Sequence, residues 1–471
     1  MNVRPLKIAI DARVHPRNWG GVAHAAMGLI HALGKLDDGP EQYMLIVEWD
    51  EQQEWLERYI GRNQQFSRQP HPEDRPAAPP PQLGRLERGV QRVVQAGRRL
   101  QARLEPPPAP PPEVWRWPDL EVSDGYYESL GCSVIHFTSQ RYVLCALPSI
   151  YNPHDLQHVH YPEFFTAREI ARREIVYRGG CRHAETVAVG TQWIKEDIVR
   201  QYGTHPDKIQ VIPWASPSLS YGEPTADHIA SVRTKYKLPE HFALYPAIPW
   251  PHKNHGRLFE ALARLRDERG LTVNLVCTGD YKQAFWADFW PALKAQIEGL
   301  RLESQVTFTG FVPDDDMRAF FRLARFLVLP SLFEADSCPI HEAWVEGLPV
   351  ASSNASALPD QVLDAGLLFD PMDVSSIADA VAALATDARL AERLRVLGTA
   401  RVADFDWERT ARAYRAVYRR AARATLTEED RWLLQWDWMR HPRRGSTGNP
   451  SPMNAPQRPA INASVASPVI S

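Results

Sequence analysis

The stretch FLVLPSLFEADSCPIHEAWVEGLPV, residues 326–350, decides the fold. Phe326 to Leu329 is an apolar run of buried-strand type, and Pro330 to Glu334 leads off its carboxyl end. Pro339 suits a first helical turn, the helix runs on through Ala343 to Glu346, and Gly347 is a natural stop. A further strand follows at Pro349 to Ser352. In open parallel sheets, ligands bind beyond the carboxyl ends of the strands. Glu334 therefore stands at a ligand-facing edge, and Glu342 near a helix start.

The same alternation runs through the rest of the chain. Phe242 to Tyr245, Leu271 to Cys277 and Val306 to Phe308 read as strands with helices between them. Earlier, Lys7 to Ala12, Tyr43 to Val47, Val134 to Phe137, Val187 to Val189 and Ile209 to Ile212 form an equivalent series. Two such series imply two similar α/β domains with parallel sheets and a ligand cleft between them. We place the boundary near Trp214, giving domains at 1–214 and 215–404. A length of 471 residues suits two cores rather than one. Helical segments occupy 405–441, and 442–471, rich in Ser, Pro and Asn, reads as a disordered tail.

A net charge of -3 supplies no global basic field, so no nucleic-acid partner is expected. Five scattered cysteines without Cys-x-x-Cys spacing, and no secretory signal, point to a cytoplasmic protein. Residues 68–118 interrupt the rhythm as a proline-rich insertion. Its middle places Leu83, Leu86, Val90, Val93, Leu100 and Leu104 near one face, with arginines around them. Such a basic amphipathic helix fits peripheral contact with the inner face of a membrane, or equally a cap on the first domain.

Carboxylates at a cleft accept hydrogen bonds from sugar hydroxyls, and the amides of Ala335, Asp336, Ser337 and Cys338 can add donors. A first-turn glutamate is also favoured by the helix dipole with no ligand at all. Lys253, ahead of Asn254 as N-cap and a helix at 255–266, calls for an anion, and a pyrophosphate fits. Gly20-Gly21 permits close backbone approach at the opening of a helix. His154, with His158 and His160 nearby, reads as a polar cleft wall rather than a metal site.

These residues resemble the group 1, or family 4, retaining glycosyltransferases. Phe333 to Ala343 is similar to the family's Glu-x7-Glu motif. Pro251-His252-Lys253-Asn254, Thr309-Gly310-Phe311-Val312, Ser353 to Pro359, Gly366 to Pro371, Ile10 to Arg13 with Gly20-Gly21, and Asn152 to His158 continue the likeness. The resemblance implies a GT-B fold, with the 405–441 helices packing back on the first domain. It implies transfer of a hexose from a nucleotide-diphosphate sugar, a GDP-mannose or UDP-sugar, to a glycan or lipid-linked acceptor in surface polysaccharide assembly, without a required metal or other cofactor. Glu342 would hold the nucleotide ribose, Lys253 the diphosphate, and Glu334 with the adjacent amides of Asp336, Ser337 and Cys338 the donor sugar. Gly20 and Gly21 would approach the phosphate, and His154 would line the reaction centre.

Two departures stand out. Relatives carry an arginine a few residues before the lysine, whereas Pro246 to His252 has none, leaving His252 as its substitute. The loop after the first glutamate commonly reads Gly-Phe-Gly but here is Ala335-Asp336-Ser337. They motivate one alternative, a catalytically silent sugar-nucleotide-binding or assembly protein that keeps the fold; another GT-B enzyme, such as a sugar-nucleotide epimerase, is a further one.

Overall fold

The computed structural model describes residues 5–14, 16–70, 119–281 and 289–437. Its first sheet has seven parallel strands in the order β3-β2-β1-β4-β5-β6-β7. They are β1 (Leu6–Asp11), β2 (Glu41–Val47), β3 (Gln64–Arg68), β4 (Val134–Phe137), β5 (Ser149–Tyr151), β6 (Thr186–Val189) and β7 (Ile209–Val211). The second has six, β8 (Ala243–Pro246), β9 (Leu275–Thr278), β10 (Val306–Phe308), β11 (Phe326–Leu329), β12 (Val350–Ser353) and β13 (Leu367–Phe369). Its order is β10-β9-β8-β11-β12-β13, again parallel throughout. Apolar strands such as Phe326–Leu329 are buried along their whole length because helices cover both sheet faces.

The strand order reverses between β1 and β4 in one sheet and between β8 and β11 in the other. At such a switch point the loops leave in opposite directions and open a crevice beyond the strand ends. The segments that follow β1, β8 and β11 carry Gly20-Gly21, Lys253 and Glu334. Topology thus puts the candidate residues at the two crevices that an α/β fold offers a ligand.

Six helices bear on the site: α1 (Pro16–Lys35), α2 (His255–Arg269), α3 (Asp314–Leu323), α4 (Cys338–Val345), α5 (Trp407–Ala421) and α6 (Glu428–Gln435). Where the sequence suggests a glycine loop ahead of α1, the helical run already begins at Pro16 and breaks at Gly20, with φ 47° and ψ −130°. That conformation is open essentially to glycine alone. Arg68, expected to begin the insertion, ends β3 instead, paired beside Val47. The rest of that expectation, including the basic helix, falls at 71–118, outside the described residues, as do 438–441 of the C-terminal helical segment and the tail at 442–471.

Helix α5 packs on α1 and joins the core of the first sheet. Trp407 donates its ring N–H to the Ser216 carbonyl at 2.8 Å and fills the space that a side chain at Gly28 would need. Tyr414 accepts from Asn152 at 2.9 Å, and the Tyr418 hydroxyl meets His136 Nδ1 at 2.7 Å. Arg419 bonds Glu41 at 2.7 Å and Asp430 of α6 at 2.9 Å. Leu433 of α6 is buried in the same core, against which Trp432 and Trp436 pack.

Candidate active site

Pro339 lies in the first turn of α4, and Gly347, at φ 66°, follows its end, so this helix begins and stops where its residue types dictate. The turn at Ser356 fixes the preceding loop: its hydroxyl accepts from the Glu334 amide at 2.8 Å and donates to the Glu334 carbonyl at 2.7 Å. The Glu334 backbone is thereby held in place at the crevice.

Lys253 Nζ reaches Glu334 Oε1 at 2.6 Å, and both groups are largely buried. A lysine beside the start of α2 needs an anion, and in this arrangement Glu334 is that anion. Asn254 takes the position ahead of α2 but does not cap it. Its backbone is left-handed, φ 59°, and its amide donates to the Pro330 and Pro371 carbonyls at 3.0 and 2.8 Å. It ties the lysine loop to the glutamate loop instead. Helix α2 also runs on to Arg269, closing at Gly270 with φ 61° rather than at Arg266.

His252 does not replace the arginine as a cation. It is buried, and burial with Lys253 beside it holds its pKa well below the usual imidazole value, so the ring is neutral. The Ser337 amide is also not free for a ligand, because it donates to Gln361 Oε1 at 3.0 Å while Gln361 returns a bond to the Ser337 carbonyl at 2.9 Å.

Glu342 is only 9% exposed and is pushed up to about 7 by burial, His24 opposing and Asp314 adding to the rise. Asp336 is likewise pushed up to about 7, by burial and then by the neighbouring Glu334 charge, and its Oδ1, 4.0 Å from His341 Nε2, has no hydrogen-bond partner among the described residues. Buried acceptors without donors cost free energy, which a ligand's hydroxyls can recover. Cys338 places its Sγ 3.8 Å from where a Cβ on Gly21 would stand, so the glycine turn of the first domain faces the start of α4 across the crevice.

On the opposite wall, His154 has a left-handed backbone, φ 65°, and stacks on Trp214 at 6.0 Å. Burial lowers its pKa, so the ring is neutral. Its Nε2 must donate to the Thr138 carbonyl at 2.8 Å, which leaves Nδ1 as an acceptor. Positive charge near a leaving group is therefore not its part. His158 and His160 are engaged separately, with Glu174 and Asp197, each at 2.8 Å.

Sequence reading missed one pair altogether. His24 Nε2 lies 3.1 Å from Asp314 Oδ1, joining α1 to the start of α3 across the crevice. A signal was present: His24 is one helical turn after Gly20, whose carbonyl its Nδ1 meets at 2.9 Å.

Residues 243–387 match the family model described as glycosyl transferases group 1. The O-antigen chain mannosyltransferase B of Escherichia coli is 30% identical over 272 residues, covering 55% of this chain and 70% of that protein. The chain belongs to the group 1 glycosyltransferases. Among solved structures, the sucrose-phosphate synthase of Thermosynechococcus elongatus superposes with TM-score 0.63 at 20% identity, over 89% of this chain and 100% of that one. Anabaena HepE in complex with UDP and glucose gives 0.62 at 18%, over 88% and 99%. These two share the GT-B fold. As a member of this family the chain is a hexosyltransferase that draws on a nucleotide-sugar donor. No helix among the described residues is long and apolar enough to cross a membrane.

Proposed function

We propose that the enzyme moves a mannosyl residue, with retention, from a nucleotide-diphosphate mannose, GDP-mannose first among donors, to a glycan or lipid-linked acceptor. The sugar is suggested by the mannosyltransferase relative. The observation that carries the site assignment is that Lys253, Glu334 and Glu342 all act electrostatically on the Cys338 thiol, which faces Gly21.

In this reading Glu342 accepts from the ribose hydroxyls. Lys253 swings from Glu334 to the donor diphosphate, which frees Glu334 to accept from hydroxyls of the sugar, with Asp336 and the amides of Ala335 and Cys338 beside it. The Gly20-Gly21 turn approaches the phosphate. As the bond from the anomeric carbon to the phosphate oxygen breaks, the acceptor oxygen bonds that carbon on the same face and its proton passes to the departing phosphate. No enzyme nucleophile is required. Lys253 and the backbone amides stabilise the charge that develops on the leaving group. His154, a neutral acceptor at Nδ1, orients a sugar hydroxyl. The domain boundary near Trp214 separates acceptor and donor sides.

The test is product formation across a panel of nucleotide sugars with a lipid-linked glycan acceptor. GDP-mannose is expected to lead, and Glu342→Ala to abolish its use. An unaltered rate in that variant would remove Glu342 from the donor site. The neutral His252 favours one rival, a silent binding protein, and calorimetric donor binding with no transfer to any acceptor would support it.

A further inference from the structure

His24 sits where two acceptors converge. Its Nδ1 is 2.9 Å from the Gly20 carbonyl and its Nε2 is 3.1 Å from Asp314 Oδ1. A carbonyl can only accept, so Nδ1 carries a proton. The far oxygen of Asp314 already receives the Trp55 ring N–H at 3.4 Å and the Tyr59 hydroxyl at 3.5 Å, and against its own burial His24, Trp55 and Arg58 hold the carboxyl below its usual range, so it is ionised. Both ring nitrogens of His24 therefore donate, and the ring is an imidazolium. Trp55 and Tyr221 meet it edge-on at 6.3 and 6.4 Å and confine it. The turn it holds is the one with the glycine-only conformation at Gly20.

We propose that His24 is a positioning residue for donor binding: it pins the Gly20 carbonyl to Asp314 of the second domain, so that the glycine turn meets the donor phosphates only while the domains are drawn together. The proposal rests on the reading of Gly20-Gly21 as a phosphate-facing turn. Its reach is one contact but its leverage is large, because the turn and the start of α3 belong to different domains.

The charged and titratable groups around the ring give the clasp a direction in pH. Asp314 and, at longer range, Glu342 favour the imidazolium against the cost of burial, and the pKa of His24 is raised. Asp314 is held low by His24 and Trp55, with Arg58 adding to this, against its own burial. The Tyr59 and Tyr221 phenols are pushed up by burial and stay neutral. The clasp is therefore complete below the raised His24 pKa and is lost as pH rises through it.

The experiment measures donor KM and kcat against pH for the unaltered enzyme, His24→Ala, His24→Arg and Asp314→Asn, with X-ray scattering for domain separation. His24→Ala and Asp314→Asn are expected to raise donor KM about tenfold at neutral pH with kcat little changed, as the loss of one charge-assisted bond implies. Both should also abolish the alkaline rise in KM. His24→Arg, which keeps two donors and cannot deprotonate, should hold the low KM and extend it to higher pH. If His24→Ala does not fold, Asp314→Asn asks the same question from the other domain. Unchanged KM and pH profile in both, while Glu342→Ala still loses donor use, would overturn the clasp and leave the site intact. Full donor use in Glu342→Ala would overturn the site reading and the clasp with it.

Discussion

Glu342 and Asp336 are acids whose burial opposes their charge, and that opposition can be measured. Glu342 is pushed from the ordinary glutamate value up to about 7, so the folded protein holds its proton where the unfolded chain has already lost it. Stability from this source is complete below about pH 4.5 and is lost as pH rises through 7. A displacement of that size is worth roughly 3 kcal/mol. Glu342→Gln is expected to raise the midpoint of thermal unfolding at pH 8, leave it near the unaltered value at pH 5, and abolish donor use; an equal effect at both pH values would show that the charge is not what costs stability. Asp336→Asn should behave in the same direction. A site built to receive hydroxyl donors is destabilised until they arrive, which is how stability is traded for function. At the Lys253–Glu334 pair the cost runs the other way. Lys253→Met leaves a largely buried carboxylate without its counter-charge, and should lower stability as well as raise donor KM, by more than the double variant Lys253→Met/Glu334→Gln loses in stability. A thermal-melt cycle over the four proteins checks this.

At the scale of elements, the strands were legible because buried parallel strands are written as short apolar runs, and Phe326–Leu329 carries no competing pattern. The limits of α4 were legible for the same kind of reason, in Pro339 and Gly347. Glu334, Glu342 and Lys253 could be placed because each is fixed by its own strand end or helix start. What stayed hidden depends on elements far apart in the chain. His24 and Asp314 are separated by 290 residues. Asn254 looks like a cap from its type, yet its amide is drawn to Pro330 and Pro371, and only their proximity decides between the two. Strand β3 escaped notice because Gln64–Arg68 has a single apolar residue, Phe66, as suits the edge of a sheet. Helix α5 is an element whose place can be tested directly. Trp407 is buried against α1 at Gly28 and bonded to Ser216, so Trp407→Ala should cost about 3–5 kcal/mol by leaving a cavity and an orphaned carbonyl. Denaturant unfolding followed by tryptophan fluorescence would read that loss, and it should fall on the first domain's core, with the second sheet spared.

For the whole molecule, the decisive surface is where the two domains meet at the crevice. Thr191, just beyond β6, donates its hydroxyl to the Ala335 carbonyl at 3.1 Å, and Tyr161 donates to the Leu332 carbonyl at 3.1 Å, so the first domain grips the Glu334 loop at two points. Between them lies Gly190. A Cβ there would stand 2.8 Å from the Trp214 ring and 3.1 Å from the Asp336 carboxylate. The ring cannot yield, because Trp407, Tyr414 and His154 pack around it. A larger residue must therefore strain the Gly190 turn itself and push away the Asp336 loop, which belongs to the other domain. Gly190→Val is expected to open the crevice, with a larger radius of gyration in X-ray scattering and a raised donor KM, and to lower the denaturant concentration at which the first domain unfolds. A variant of normal dimensions and normal KM would mean that the two domains do not need this close approach to bind the donor.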